Sequence, residues 1–109
     1  MRLFLLPVSA VALTACSGQA ATPGPPLANI ERATLTYANC VLRRARQSAA
    51  RPGSTDEVAQ QVVASCAEAR SEALNMRSVP VMFSSVDEFD TVHLDIARHE
   101  INEIRRNSR

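Results

Sequence analysis

Two cysteines in the interior of the chain, Cys40 and Cys66, have a spacing that selects among the reactions open to a thiol. A redox pair wants the close Cys-x-x-Cys arrangement, which is absent. Zinc would need two further ligands, and no histidine lies near either cysteine in the sequence. A disulfide needs only that the thiols meet in an oxidising compartment. Cys40 lies thirteen residues before Gly53 and Cys66 thirteen after it. If residues 51–54 turn a helical hairpin, both thiols sit about 20 Å from the turn, level with each other. Each also falls on the apolar stripe of its own segment, so register and facing point independently to a Cys40–Cys66 disulfide. Two buried free thiols are the weaker reading, because small exported domains use such pairs as staples.

His93, Glu100 and Asp90 are the other candidates. His93 and Glu100 stand two helical turns apart within an apolar arc, where a buried His and Glu could act as a general base or share a metal with Asp90. The stronger expectation is that they border a helix interface and pair with an arginine from the first helix. His99-Glu100-Ile101-Asn102-Glu103 resembles the zinc-protease pattern H-E-x-x-H but carries Glu103 where the second histidine belongs, so that chemistry does not carry over. Asp95, His99 and Glu103 instead form an i, i+4 ladder that should bridge to Arg98 and Arg106. With no Gly-rich phosphate loop and no G-x-S-x-G elbow, the sequence points to no catalytic residue, no resident metal and no cofactor.

The elements that must position these residues are helical. Pro52-Gly53 and Pro80 divide the chain from Asn29 onward into three segments with helical periodicity. In the first, which starts from an Asn29 cap, Ile30, Ala33, Tyr37, Cys40, Val41 and Ala45 make one stripe and Leu35, Ala38, Leu42 and Ala49 a second. A helix with two apolar flanks has two neighbours, which makes this one central to the domain or leaves it facing a partner. The second segment opens with a Ser54–Glu57 capping box and buries Val58, Val62, Cys66, Ala69, Ala73 and Met76. It should end near Arg77, because Pro80 disfavours helical geometry at Val79. After an extended connector at 79–83, Ser85 and Glu88 repeat the box and open a third helix with Val86, Phe89, Ile96, Ala97, Ile101 and Ile104 on one face. The expectation is an all-α domain: an antiparallel, disulfide-linked hairpin of helices at about 29–50 and 55–77, completed by an amphipathic helix at about 86–106.

Upstream of this domain, Met1 and Arg2 precede an apolar run from Leu3 to Leu13 that ends in Leu13-Thr14-Ala15-Cys16. At about 1.5 Å per residue, eleven residues cover roughly half of a ~30 Å hydrocarbon core, too little for a permanent span. The motif resembles the lipobox of bacterial lipoprotein precursors. That resemblance covers residues 1–17 and implies a signal peptide at 1–15, removed when Cys16 is acylated and becomes the first residue. Ser17 follows the cysteine where inner-membrane lipoproteins often carry Asp, so the resemblance implies the outer membrane, facing the periplasm. The competing reading is an ordinary secretory signal cut after Gly18-Gln19-Ala20, which would discard Cys16 and leave a soluble periplasmic or secreted protein. Residues 16–28, rich in Pro and small side chains, read as an extended tether, and 29–109 as the domain.

Charge excludes one class of partner. The 109 residues carry 12 basic and 11 acidic side chains, and loss of Arg2 leaves them balanced, so nothing suggests nucleic acid. The cluster Arg43, Arg44, Arg46 and Arg51 reads as a solvated face complementing a helix dipole, with contact to anionic lipid heads or an acidic partner as the weaker reading. The functional expectation is therefore a membrane-anchored, noncatalytic lipoprotein of the cell envelope. It meets the bilayer through acylated Cys16 and either an envelope protein or a second copy of itself through its surplus apolar surface. The alternative is a small periplasmic metal-binding protein or enzyme using His93, Glu100 and Asp90.

Overall fold

The computed structural model describes residues 24–108, so the signal segment 1–15, Cys16 and the tether as far as residue 23 lie outside the described residues. Among the described residues five helices follow one another: α1 (Leu27–Ser48), α2 (Thr55–Ala64), α3 (Ala67–Asn75), α4 (Ser78–Val81) and α5 (Val86–Asn107). Among the described residues there is no strand. The course is up, down, up. Tyr37 of α1 stacks on Phe89 of α5, and further along Arg46 meets Glu100, so these two helices run parallel. α2 and α3 descend between them as one bent rod: Asp56 pairs with Arg98 and Arg70 with Asp90. As its two stripes require, α1 packs against all the other elements. No described helix is long and apolar enough to cross a membrane.

The core gathers Tyr37, Val41 and Ala45 from α1, Val58, Ala59 and Val62 from α2, Cys66 and Ala73 beside α3, and Phe89, Ala97 and Ile101 from α5. Fully buried Phe89 and Ile101 each contribute roughly 1.5–3 kcal/mol of hydrophobic stabilisation, while the alanines let the helix backbones approach. Ser54 and Glu57 close the capping box from both sides, at 3.1 and 2.9 Å. Before α5 the box is only half formed. Ser85 accepts from the Glu88 amide at 3.1 Å, but the Glu88 carboxylate reaches one residue further back, to the Ser84 amide at 2.7 Å. Gly53 supplies the positive φ of 116° on which the α1–α2 corner turns, a conformation that any side chain would strain.

Three local features differ from the sequence-based expectation. α1 begins two residues early, at Leu27, and Asn29 is no cap. Pro26, whose fixed φ already suits a helix start, offers its carbonyl to the Asn29 and Ile30 amides, and the Asn29 side chain accepts from Arg32 instead. The expected helix 55–77 is two helices broken at Ser65-Cys66. The Ser65 hydroxyl donates to the Val62 carbonyl at 2.7 Å and competes with the helical ladder, while Cys66 takes φ −107° and ψ 28°. The connector expected to be extended contains a helical turn, Ser78–Val81, entered through left-handed Arg77 (φ 73°) and holding a cis Val79–Pro80 bond. Only Val79 within it keeps the extended geometry that a following proline imposes.

Candidate functional site

The cysteine pair is bonded. Cys40 and Cys66 form a disulfide with their Cα atoms 6.1 Å apart, joining the middle of α1 to the break between α2 and α3. The break leaves Cys66 almost wholly buried and facing α1, so the irregular backbone serves the bridge. Cys16, the lipidation candidate, lies outside the described residues.

His93, Glu100 and Asp90 are each held by a different partner. Asp90 accepts two hydrogen bonds from the Arg70 guanidinium, at 2.8 and 2.9 Å. Glu100 accepts from Arg46 of α1 at 3.1 Å, the arginine pairing expected for an interface border. His93 is buried. Its ring stacks on Tyr37 with centroids 4.2 Å apart and touches Phe89 and Phe83, and its Nδ1–H donates to the Phe89 carbonyl at 2.7 Å. Among the described residues, no three His, Cys, Asp or Glu side chains gather as a metal site. The solvent ladder forms as expected: Arg98 bridges to Asp95, Arg106 to Glu103, and His99 Nε2 stands 4.0 Å from Glu103. Arg98 also reaches Asp56 across the bundle at 2.8 Å, a contact local periodicity does not contain.

Burial among aromatic rings pushes the His93 imidazole below its ordinary 6.5, although the Phe89 carbonyl and the nearby Asp90 carboxylate oppose this. A folded-state value below the unfolded one means that the unfolded chain takes up the extra proton. The contribution is therefore complete above about pH 6.5 and is lost as pH falls towards the depressed folded value. Urea midpoints between pH 7.5 and 5.5 should fall more steeply for the natural chain than for His93→Leu, and parallel curves would refute this. The Tyr37 hydroxyl is buried without a partner among the described residues, and that burial is the chief cause pushing its ionisation to higher pH. Tyr37→Phe removes an unsatisfied donor and should leave the unfolding free energy unchanged or raise it by up to about 1 kcal/mol.

What stays open is an apolar face along α1 and α5. Leu35, Ala38 and Leu42 from α1, Val92 and Ile96 from α5, and Met82 and Phe83 from the α4 corner line two adjoining depressions, with His93 at the floor. Leu35 is 60% exposed, Met82 43% and Val92 37%. Behind it, the Thr34 hydroxyl donates to the Ile30 carbonyl at 2.7 Å, which leaves its lone pairs to accept from buried Ser78 and ties the α4 corner to α1. Glu31 closes one end and the Arg46–Glu100 bridge the other. The sequence signals this face through the second stripe of α1; the contribution of Val92 carries no such signal, because Val92 is absent from the apolar face read on the third helix. No family model matches this chain, and neither a curated protein nor a solved structure shows significant similarity to it.

Proposed function

We propose that this chain is a lipid-anchored, noncatalytic lipoprotein of the bacterial cell envelope, held at the outer membrane through acylated Cys16 and engaging a protein partner, either an envelope protein or a second copy of itself, through the α1–α5 face. The observation that carries the interaction role is that face: large apolar side chains remain open to water in one continuous patch, on a surface whose polar candidates are already engaged. The lipobox resemblance supplies the anchor, and the Cys40–Cys66 disulfide suits the oxidising compartment that the anchor implies. Two or more acyl chains would make the attachment stable, and the short Pro-rich tether would keep the domain within roughly 35 Å of the lipid.

Metabolic labelling with a palmitate analogue tests the anchor. Label should enter the natural chain and fractionate with membranes, and Cys16→Ser should abolish both. An unlabelled, soluble natural chain would instead support secretion after cleavage beyond Cys16. The interaction role predicts that in-cell crosslinking yields an adduct that Leu35→Asp removes without loss of helicity.

A further inference from the structure

The occupant of the α1–α5 face can be narrowed from its charges and from the heights of its residues. Arg46 faces Glu100 across the two parallel helices, 54 positions later, and Tyr37 lies between Phe89 and His93 on the same offset. Each α5 residue thus stands level with the α1 residue about 54 positions earlier. Leu42 and Ile96 share a height. The outer flank of α1 carries Arg32, Arg43 and Arg46, while the outer flank of α5 carries Glu88, Asp95 and Glu103. Glu31, at one end, is the acidic exception on α1, and Arg106, beyond the height at which α1 ends, is the basic exception on α5. Asp95 and Glu103 have local arginine partners, and Glu88 is bound to Ser84.

We infer that a second copy of this chain covers the face, in a two-fold dimer whose axis runs along the helices, α1 of each copy lying on α5 of the other. Two isologous arrangements bring this face onto itself. With the axis along the helices, Leu42 meets the partner's Ile96, and Arg32 and Arg43 come within about two residues, ~3 Å along the axis, of the partner's Glu88 and the partner's Asp95. With the axis across the helices, α5 lies on α5, setting the acidic flanks of both copies against each other, and α1 lies on α1. Opposite charges across an interface select between registers, and like charges penalise the wrong one.

The tether argues the same way, a point that rests on the lipid-anchor reading above. The parallel dimer sends both chains from the same end of the bundle towards one membrane. In the antiparallel dimer one tether would have to run back along the rod. A 22-residue helix is about 33 Å long, and the eleven residues from Cys16 to Leu27 would reach roughly 34 Å in a polyproline-like course, so that tether would have almost no slack.

Mixing full chains carrying Asn39→Cys and Val92→Cys with a short bismaleimide linker tests the arrangement, since the linker leaves the Cys40–Cys66 disulfide untouched. The mixture should give a covalent heterodimer, neither chain alone should link to itself, and Leu35→Asp in both should cut the yield about tenfold with helicity intact. Asn39→Cys linking to itself would overturn the proposal in favour of the antiparallel form. A folded chain that does not link, or one whose face is captured by a different protein, would overturn it outright. Repeating the linking with Cys16→Ser chains separates the two readings: linking without acylation sustains the dimer even if the anchor fails, and an acylated chain that does not link removes the dimer alone.

Discussion

Replacing Cys40 and Cys66 together by alanine should lower the unfolding free energy by about 3.5 kcal/mol. The disulfide closes a loop with a sequence separation of 26, and in the chain-entropy model a loop of that length removes about this much freedom from the unfolded ensemble. Small domains hold only about 5–15 kcal/mol in total, and this bundle sits near the size where a single core becomes marginal. At roughly 4 °C per kcal/mol the midpoint should fall by about 15 °C, measured by circular dichroism on natural and Cys40→Ala/Cys66→Ala chains. Adding reductant to the natural chain should reproduce most of the shift. An unchanged midpoint in both would mean that the brace carries no stability.

The second large effect concerns Arg105. Its Nε donates to the Ala49 carbonyl at 2.9 Å, Nη2 to the Arg51 carbonyl at 2.8 Å, and Nη1 to the Gly53 carbonyl at 3.0 Å and the Thr55 hydroxyl at 3.4 Å. The end of α1 leaves carbonyls without helical partners, and this one guanidinium satisfies the corner that follows. It also pins the end of α5 to the α1–α2 turn, over 50 to 56 residues of chain. Arg105→Ala should cost about 2–3 kcal/mol, and Arg105→Lys should recover little, because a single ammonium cannot reach divergent acceptors as a planar fork does. Arg106→Ala, which loses only an exposed, solvent-screened bridge to Glu103, should leave the urea midpoint close to that of the natural chain. Urea titrations of the three variants decide this, with hydrogen exchange expected to speed up first at residues 49–55. An Arg105→Lys chain as stable as the natural one would show that charge, and not the fork, holds the corner.

The helical architecture and the Cys40–Cys66 pairing are legible in the sequence because both are written in local terms. Apolar residues recur at helical spacing, and two cysteines lie equidistant from Gly53 on inward stripes. The position of Glu100 at a helix border beside an arginine is legible for the same reason. The break at Ser65 is hidden because periodicity runs straight through it; the competing Ser65 hydroxyl contact leaves the apolar spacing unchanged. Arg105 reads as a dipole complement at a helix end, yet its acceptors lie far away in sequence, on a turn whose carbonyls carry no side-chain signature. Periodicity sets His93 at a border, whereas the fold encloses it with Tyr37, Phe83 and Phe89, an aromatic cluster assembled from three separate parts of the chain. The open face is half legible, through the second stripe of α1, while its other wall depends on how α5 comes to lie beside it.

The envelope reading meets its most direct test in the intact mass of the protein purified from its native membrane, taken before and after reduction. It predicts a chain beginning at Cys16, heavier than its polypeptide by the mass of its acyl groups, that gains two hydrogens on reduction. A full-length, unacylated polypeptide whose mass does not change with reductant would contradict it.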